Sequence, residues 1–177
     1  MPSFSVHLAC ANEYLKKHDI SDRDSFLKGV ISVDLAQDKY KSHYSNTSDT
    51  SDLKTYLSNK VNVERYLSEN LVRSDFDKGY LLHLLTDYYF YTKFFSEEFI
   101  SKLTYTEFKK IIYHDYSSIN KYITKKYDVI YTDEIKMYED DNRETPIVLF
   151  PDLLDKFIEE VSSLDLDDFI KTNKKTN

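Results

Sequence analysis

Between residues 4 and 18 apolar and ring-bearing side chains recur at spacings of three and four, so that Phe4, His7, Leu8, Ala11, Tyr14, Leu15 and His18 share one helical stripe. The stripe predicts a first helix whose His7 points inward. Ser21, with Asp24 three residues on, reads as the N-cap of a second helix running through Phe26 and Leu27 toward Ile31, with Gly29 as a point of interruption. The pattern then lapses. The segment from Asp38 to Asp52 is rich in Ser, Thr, Asn and Asp and predicts a surface loop with His43 near its start. Helical spacing resumes over Leu53 to Leu71, with a break expected near Asn59. Phe76 to Phe95 is the most apolar segment and predicts a central buried helix carrying His83 and Asp87. Ser96 before Glu97 and Glu98 predicts a short helix, and Thr104 with Glu107 forms a capping box for a longer one reaching about Tyr127, with His114 and Asp115 midway. Thr145 to Pro151 predicts a short extended stretch, and Asp152 to Leu164 and Asp167 to Lys171 predict closing helices.

Composition sharpens this into a fold class. The 177 residues suit one domain, expected over 1–171 with a frayed tail at 172–177. Two glycines and three prolines are too few to turn an all-β chain, so the expectation is all-α, a single-domain multi-helix bundle. With 16 Tyr, 11 Phe and no Trp, the core must rest on Phe and Tyr. The net charge of −7 disfavours a nucleic-acid partner and purely electrostatic membrane binding. No stretch reaches the roughly 18 apolar residues of a membrane span, so no stable membrane insertion is expected. The first residues lack the basic start and apolar run of a signal peptide, which gives a cytoplasmic expectation. Cys10 is the single cysteine and reads as a small core residue; any metal must be held by His and carboxylates rather than thiolates. The acidic run Asp133, Glu134, Glu139, Asp140 and Asp141 lacks the glycine and alternation of a calcium loop and reads as solvated surface.

His83 and Asp87 are four apart, which on a helix stacks them on one face with β-carbons about 5–6 Å apart. Their neighbours Leu81, Leu82, Leu84 and Leu85 leave little polar face, and burying a lone carboxylate costs several kcal/mol unless a cation or strong hydrogen bonds compensate. Periodicity alone weighs ligation and a buried structural pair equally. By itself, His7 on an apolar stripe reads as a core histidine, and His43 in a polar loop as a solvated one. His18, beside Asp19 at a helix end, reads as a partner of the helix dipole without further function.

Four segments, in order, resemble the zinc-dependent phospholipase C family, most closely its small intracellular bacterial members: Met-Pro-Ser-Phe-Ser-Val-His7, Gly29-Val-Ile-Ser-Val-Asp34, Lys41-Ser-His43 and Gly79-Tyr-Leu-Leu-His83-Leu-Leu-Thr-Asp87. The likeness covers about the first half of the chain. It implies a bundle of the phospholipase C / P1 nuclease type with a metal cluster between helices. Asp34, His43, His83 and Asp87 would complete one site, and His7 would help hold a second ion bridged by Asp87. Downstream the chain departs from the secreted members' further His and Glu ligands, with only His114 and Asp115 as candidates to replace them; Asp115, followed by Tyr116, resembles the Asp-Trp of the small members and is the better candidate. Such a donor set suits zinc above all, with iron, manganese or nickel as alternatives, and two ions are expected.

The implied activity is a metal-dependent phosphoester hydrolase in which Asp34 doubles as proton acceptor, acting on a small-molecule or lipid phosphoester. An HD-domain phosphohydrolase is the nearest alternative, but its His-Asp pairs here, His18-Asp19 and His114-Asp115, fall out of the order that fold needs. A different class is a non-catalytic helical module, with the metal as a structural staple and an aromatic surface for a protein partner.

Overall fold

In the computed structural model the described residues are 3–130 and 145–173, so the acidic run expected at 133–141 and the last four residues of the tail lie outside them. The described residues form a multi-helix bundle with no strand. Helix α1 spans Phe4–Lys17 and ends where the backbone N–H of His18 bonds the carbonyl of Tyr14. Helix α2 spans Arg23–Leu35, longer than its sequence pattern suggested, and therefore carries Asp34 in its last turn. Its N-cap is Asp22 rather than Ser21: the Asp22 carboxylate accepts the Ser25 N–H at 3.0 Å. Gly29 does not interrupt the helix.

The expected polar loop begins with a single helical turn, α3, Lys39–Ser42, capped by Asp38, and His43 is its last cap. The chain reverses at Tyr44, whose φ of 56° is left-handed. Helices α4, Leu53–Ser58, and α5, Val63–Glu69, are divided at Asn59 as the pattern predicted. Helix α6, Asp75–Tyr89, starts at a capping box made by Ser74 and Asp77 and continues into a π turn over Phe90–Phe94. The short α7 follows at Glu97–Ser101, and α8, Tyr105–Lys126, opens at the predicted Thr104/Glu107 capping box. Pro151 begins α9, Pro151–Ser162, as suits a residue with no N–H to satisfy, and α10 spans Leu166–Asn173.

Leu81, Leu82, Leu84 and Leu85 of α6 lie in one contiguous apolar core with Val6 and Ala9 of α1, Phe26 and Val30 of α2, Ile119 of α8 and Leu154 and Ile158 of α9. The most extensive helix contact joins α2 to α6. Both glycines of the chain sit at this crossing. A Cβ on Gly29 would overlap the Phe76 carbonyl oxygen, and one on Gly79 the Phe26 carbonyl oxygen. The missing side chains let the backbones touch, and that approach sets the distance across which the polar residues one turn further along each helix face one another.

Residues 145–150 form a bend rather than an extended strand. They are held by Asp115 of α8, whose carboxylate accepts the backbone N–H groups of Ile147, Val148 and Leu149 at 2.8, 2.7 and 2.8 Å. No helix among the described residues is long and apolar enough to cross a membrane.

Candidate metal centre

Four elements deliver five side chains to one buried point: His7 from α1, Asp34 from α2, His43 from the end of α3, and His83 with Asp87 from α6. Asp34 is the least buried, at 9% exposed, and Asp87 is wholly buried. Asp87 turns its two oxygens to different partners, with Oδ1 3.0 Å from His7 Nε2, and Oδ2 3.2 Å from His43 Nε2 and 3.1 Å from His83 Nε2. Asp34 Oδ1 lies 3.1 Å from His43 Nε2 and 3.6 Å from His83 Nε2. The rings of His7 and His83 stack at 3.6 Å with an angle of 7°.

Backbone carbonyls decide which ring nitrogens face the centre. His83 Nδ1 lies 2.6 Å from the Val30 carbonyl across the glycine crossing, and His43 Nδ1 lies 2.7 Å from the Lys39 carbonyl one helical turn before it. A carbonyl oxygen only accepts, so in both rings Nδ1 holds the proton and donates it. Nε2 is then the free nitrogen turned to the carboxylates, the outer-shell arrangement by which proteins orient metal-binding histidines.

The Nε2-to-carboxylate separations are short, but none of these pairs forms a hydrogen bond. His7 Nε2, His43 Nε2, His83 Nε2, Asp34 Oδ1 and both oxygens of Asp87 are buried without a hydrogen-bond partner among the described residues. So many unpaired acceptors and nitrogens in one place would cost several kcal/mol if nothing joined them. Ligands each roughly 2.0–2.2 Å from a zinc-sized ion stand about 3.0–3.5 Å from one another, which is the spacing of most of these contacts. Two groups of ligand atoms, His7 with His83 and Asp87, and Asp34 with His43 and His83, each lie within 4.8 Å of one another. The residues therefore fit a divalent metal.

In the metal-free protein, protons take that place. Burial works to lower the pKa of His83, yet the facing Asp34 and Asp87 outweigh it and push it up to about 10. His43 follows the same logic, lowered by burial but pushed up to about 9 by the facing carboxylates of Asp34 and Asp87. His7 moves the other way, because its burial and the charge of the stacked His83 outweigh Asp87. Burial would raise both carboxyls; the attraction of His83, with the other rings, holds Asp34 and Asp87 well below the usual carboxylate range.

The other residues singled out in the sequence have other partners. Asp115 is buried, but its oxygens are taken by the 147–149 backbone and by His114 Nδ1 at 2.8 Å, so the structure gives the pair a positioning task apart from the five-residue cluster. His18 donates from Nε2 to the Ser162 carbonyl at 3.0 Å and stacks on Tyr14, tying α1 to the end of α9. Cys10 is a free, buried thiol whose pKa burial pushes up to about 12, as expected of an inert core residue. What sequence reasoning missed is the pair of orienting carbonyls. Lys39 carried a weak signal, lying four residues before His43; Val30 carried none.

No family model matches the chain, and no match was found among the curated proteins or the solved structures compared with it.

Proposed function

We propose that the protein is a metal-dependent phosphoester hydrolase, with a bundle of the phospholipase C / P1 nuclease type and two divalent ions, zinc above all, held by His7, Asp34, His43, His83 and Asp87. The observation that carries this reading is the convergence of free imidazole nitrogens and carboxylate oxygens on one buried point without hydrogen bonds among them. The four sequence segments that resemble zinc-dependent phospholipase C add the reaction type.

Bound ions of this kind supply hydroxide from water near neutral pH and offset charge on a phosphoryl group. The chain's own residues set that chemistry up. Val30 and Lys39 fix the tautomers of His83 and His43, and Asp87 spans the cluster with one oxygen to each side. Asp34 is the least buried of the five, which supports assigning it as the acceptor of a proton from an entering water. The substrate is a small-molecule or lipid phosphoester.

The deep burial of the five residues also favours a second reading, in which the metal only staples α1, α2 and α6 together. Elemental analysis of the purified protein, then assay on chromogenic phosphoesters with and without chelator, separates the two. The expected result is bound metal, hydrolysis that stops with chelator, loss of metal in His83→Ala and Asp87→Ala, and retention in His18→Ala. Metal without hydrolysis would support the staple, and protein that neither carries nor takes up metal would overturn both.

A further inference from the structure

Asp87 has an unremarked neighbour on its own helix face. His83, Asp87 and Tyr91 are spaced by four, so Tyr91, at the start of the π turn, continues the stripe of ligands. It opens onto a cavity of about 110 Å³ between α4, the π turn and α8. Five tyrosines and two lysines, Lys60 and Lys109, line this space with no carboxylate, although the chain as a whole is acidic. Lys60 Nζ stands 5.1 Å from the Tyr91 ring centre and donates to Tyr56 Oη at 3.1 Å.

Two of the residues lining this cavity, Tyr91 and Tyr116, carry buried hydroxyls that lack partners among the described residues. A buried hydroxyl without a partner costs about 1–3 kcal/mol, so it calls for an acceptor. Burial first, and the negative charge of Asp87 second, pushes both hydroxyls well above the usual phenol range, which keeps them donors and places them within electrostatic reach of the metal centre. Lys60 is joined to that centre through the backbone. Ser45 Oγ donates to the Lys60 carbonyl at 2.5 Å, Asn46 N–H to the Asn59 carbonyl at 2.9 Å, and Asn62 N–H to the His43 carbonyl at 3.4 Å.

A lysine, whose pKa burial lowers against the pull of Asp87, and two unpaired donors that also feel the charge of Asp87 suit an oxyanion. Size narrows the choice, because sites that enclose a drug-sized ligand measure roughly 300–1,000 Å³ and a benzene-sized guest needs about 150 Å³. About 110 Å³ takes a phosphoryl group but not the alcohol attached to it. A diester must lead two substituents out of so small a space; a monoester leads out one. The larger groove of about 420 Å³ between the π turn and α9 is lined, among the described residues, by none with an unpaired buried polar atom.

We propose that the Lys60/Tyr91/Tyr116 cavity receives the terminal phosphoryl group of a small phosphomonoester, and so deepens the hydrolase reading, on which it rests. In the reaction water adds to phosphorus, the ester P–O bond breaks, and the proton accepted by Asp34 passes to the leaving oxygen, giving an alcohol and inorganic phosphate.

The test is calorimetric titration of the metal-loaded protein, and of the chelated protein, with inorganic phosphate. Lys60→Met, Tyr91→Phe and Tyr116→Phe should each weaken phosphate binding about tenfold or more with metal content unchanged. The two Phe variants should unfold at the same temperature as the parent or higher, since each removes an unpaired hydroxyl; a merely structural hydroxyl would lower it. p-Nitrophenyl phosphate should be hydrolysed with a higher kcat/KM than bis(p-nitrophenyl) phosphate. Phosphate affinity indifferent to all three substitutions, or preference for the diester, overturns the assignment. Absence of metal would overturn the hydrolase reading separately, because the effect of Lys60→Met on phosphate binding is also read in chelated protein.

Discussion

Replacing Gly79 by Ala asks whether the crossing of α2 and α6 builds the metal centre. In an ordinary helix the change stabilises by about 1 kcal/mol, because Ala is the better helix former. Here the new Cβ would overlap the Phe26 carbonyl oxygen and stand 2.9 Å from its carbonyl carbon and 3.1 Å from Val30 N. These are backbone atoms of a neighbouring helix and cannot rotate aside, so the helices must part. Overpacking of this kind costs about 1–3 kcal/mol, which for a domain of this size lowers Tm by about 2–12 °C. The same movement reaches the site. His83 Nδ1 lies 2.6 Å from the Val30 carbonyl, and a separation of about 1 Å stretches that contact beyond hydrogen-bond range. Losing an outer-shell partner lowers metal affinity about 10–100-fold. Thermal unfolding of chelated protein, together with chelator competition for the metal, measures both effects. A Gly79→Ala protein as stable as the parent, binding metal as tightly, would refute the claim that backbone contact at this crossing orients His83.

Other perturbations separate the roles of single groups. The chelated protein should lose stability as pH rises from about 6.5 toward 10, since His83 and His43 are pushed up to about 10 and 9 when folded and titrate near 6.5 when unfolded; metal-loaded protein, whose ligands carry no such proton, should not follow, and parallel pH curves for the two forms would refute the proton-for-metal exchange. At the acid end the sign reverses, because Asp34 and Asp87 are held below the usual carboxylate range, so their contribution is full above about pH 4 and is lost below it, as an acid unfolding curve would read. Asp115→Asn should destabilise by about 1–3 kcal/mol by turning an amide toward three backbone donors, while metal content stays unchanged by elemental analysis; loss of metal would make Asp115 a ligand after all. Asp34→Asn should abolish hydrolysis of the chromogenic ester by about 10²-fold or more through loss of a proton acceptor, with His7, His83 and Asp87 still retaining an ion.

Much of the fold was legible along the chain. The Thr104/Glu107 capping box, the break at Asn59 and the closing helices all rest on interactions within a few residues, which is the range that spacing and capping express. The differences arose where a longer-range contact competed. Asp22 rather than Ser21 caps α2, and the Asp22 backbone is itself held by Asp75 at 2.8 Å from far along the chain. The stretch at 145–150 bends instead of extending because Asp115 gathers three of its N–H groups. Lys60 gave no sign in a polar linker, whereas Tyr91 could have been read from its spacing of four after Asp87.

By itself, then, the sequence determined that the chain is helical, that His7, His83 and Asp87 face inward, and that any bound metal must be held by imidazole and carboxylate. The resemblance of four segments implied that Asp34 and His43 share a site with them and that Asp87 bridges; only the tertiary structure decided the distances among the five side chains and which nitrogen of each orienting histidine is free. The reason is physical: periodicity tells which face of a helix is buried, but the distance between two helices depends on what stands between them. Here nothing does, because Gly29 and Gly79 meet backbone to backbone, and that contact brings the Val30 carbonyl within reach of His83.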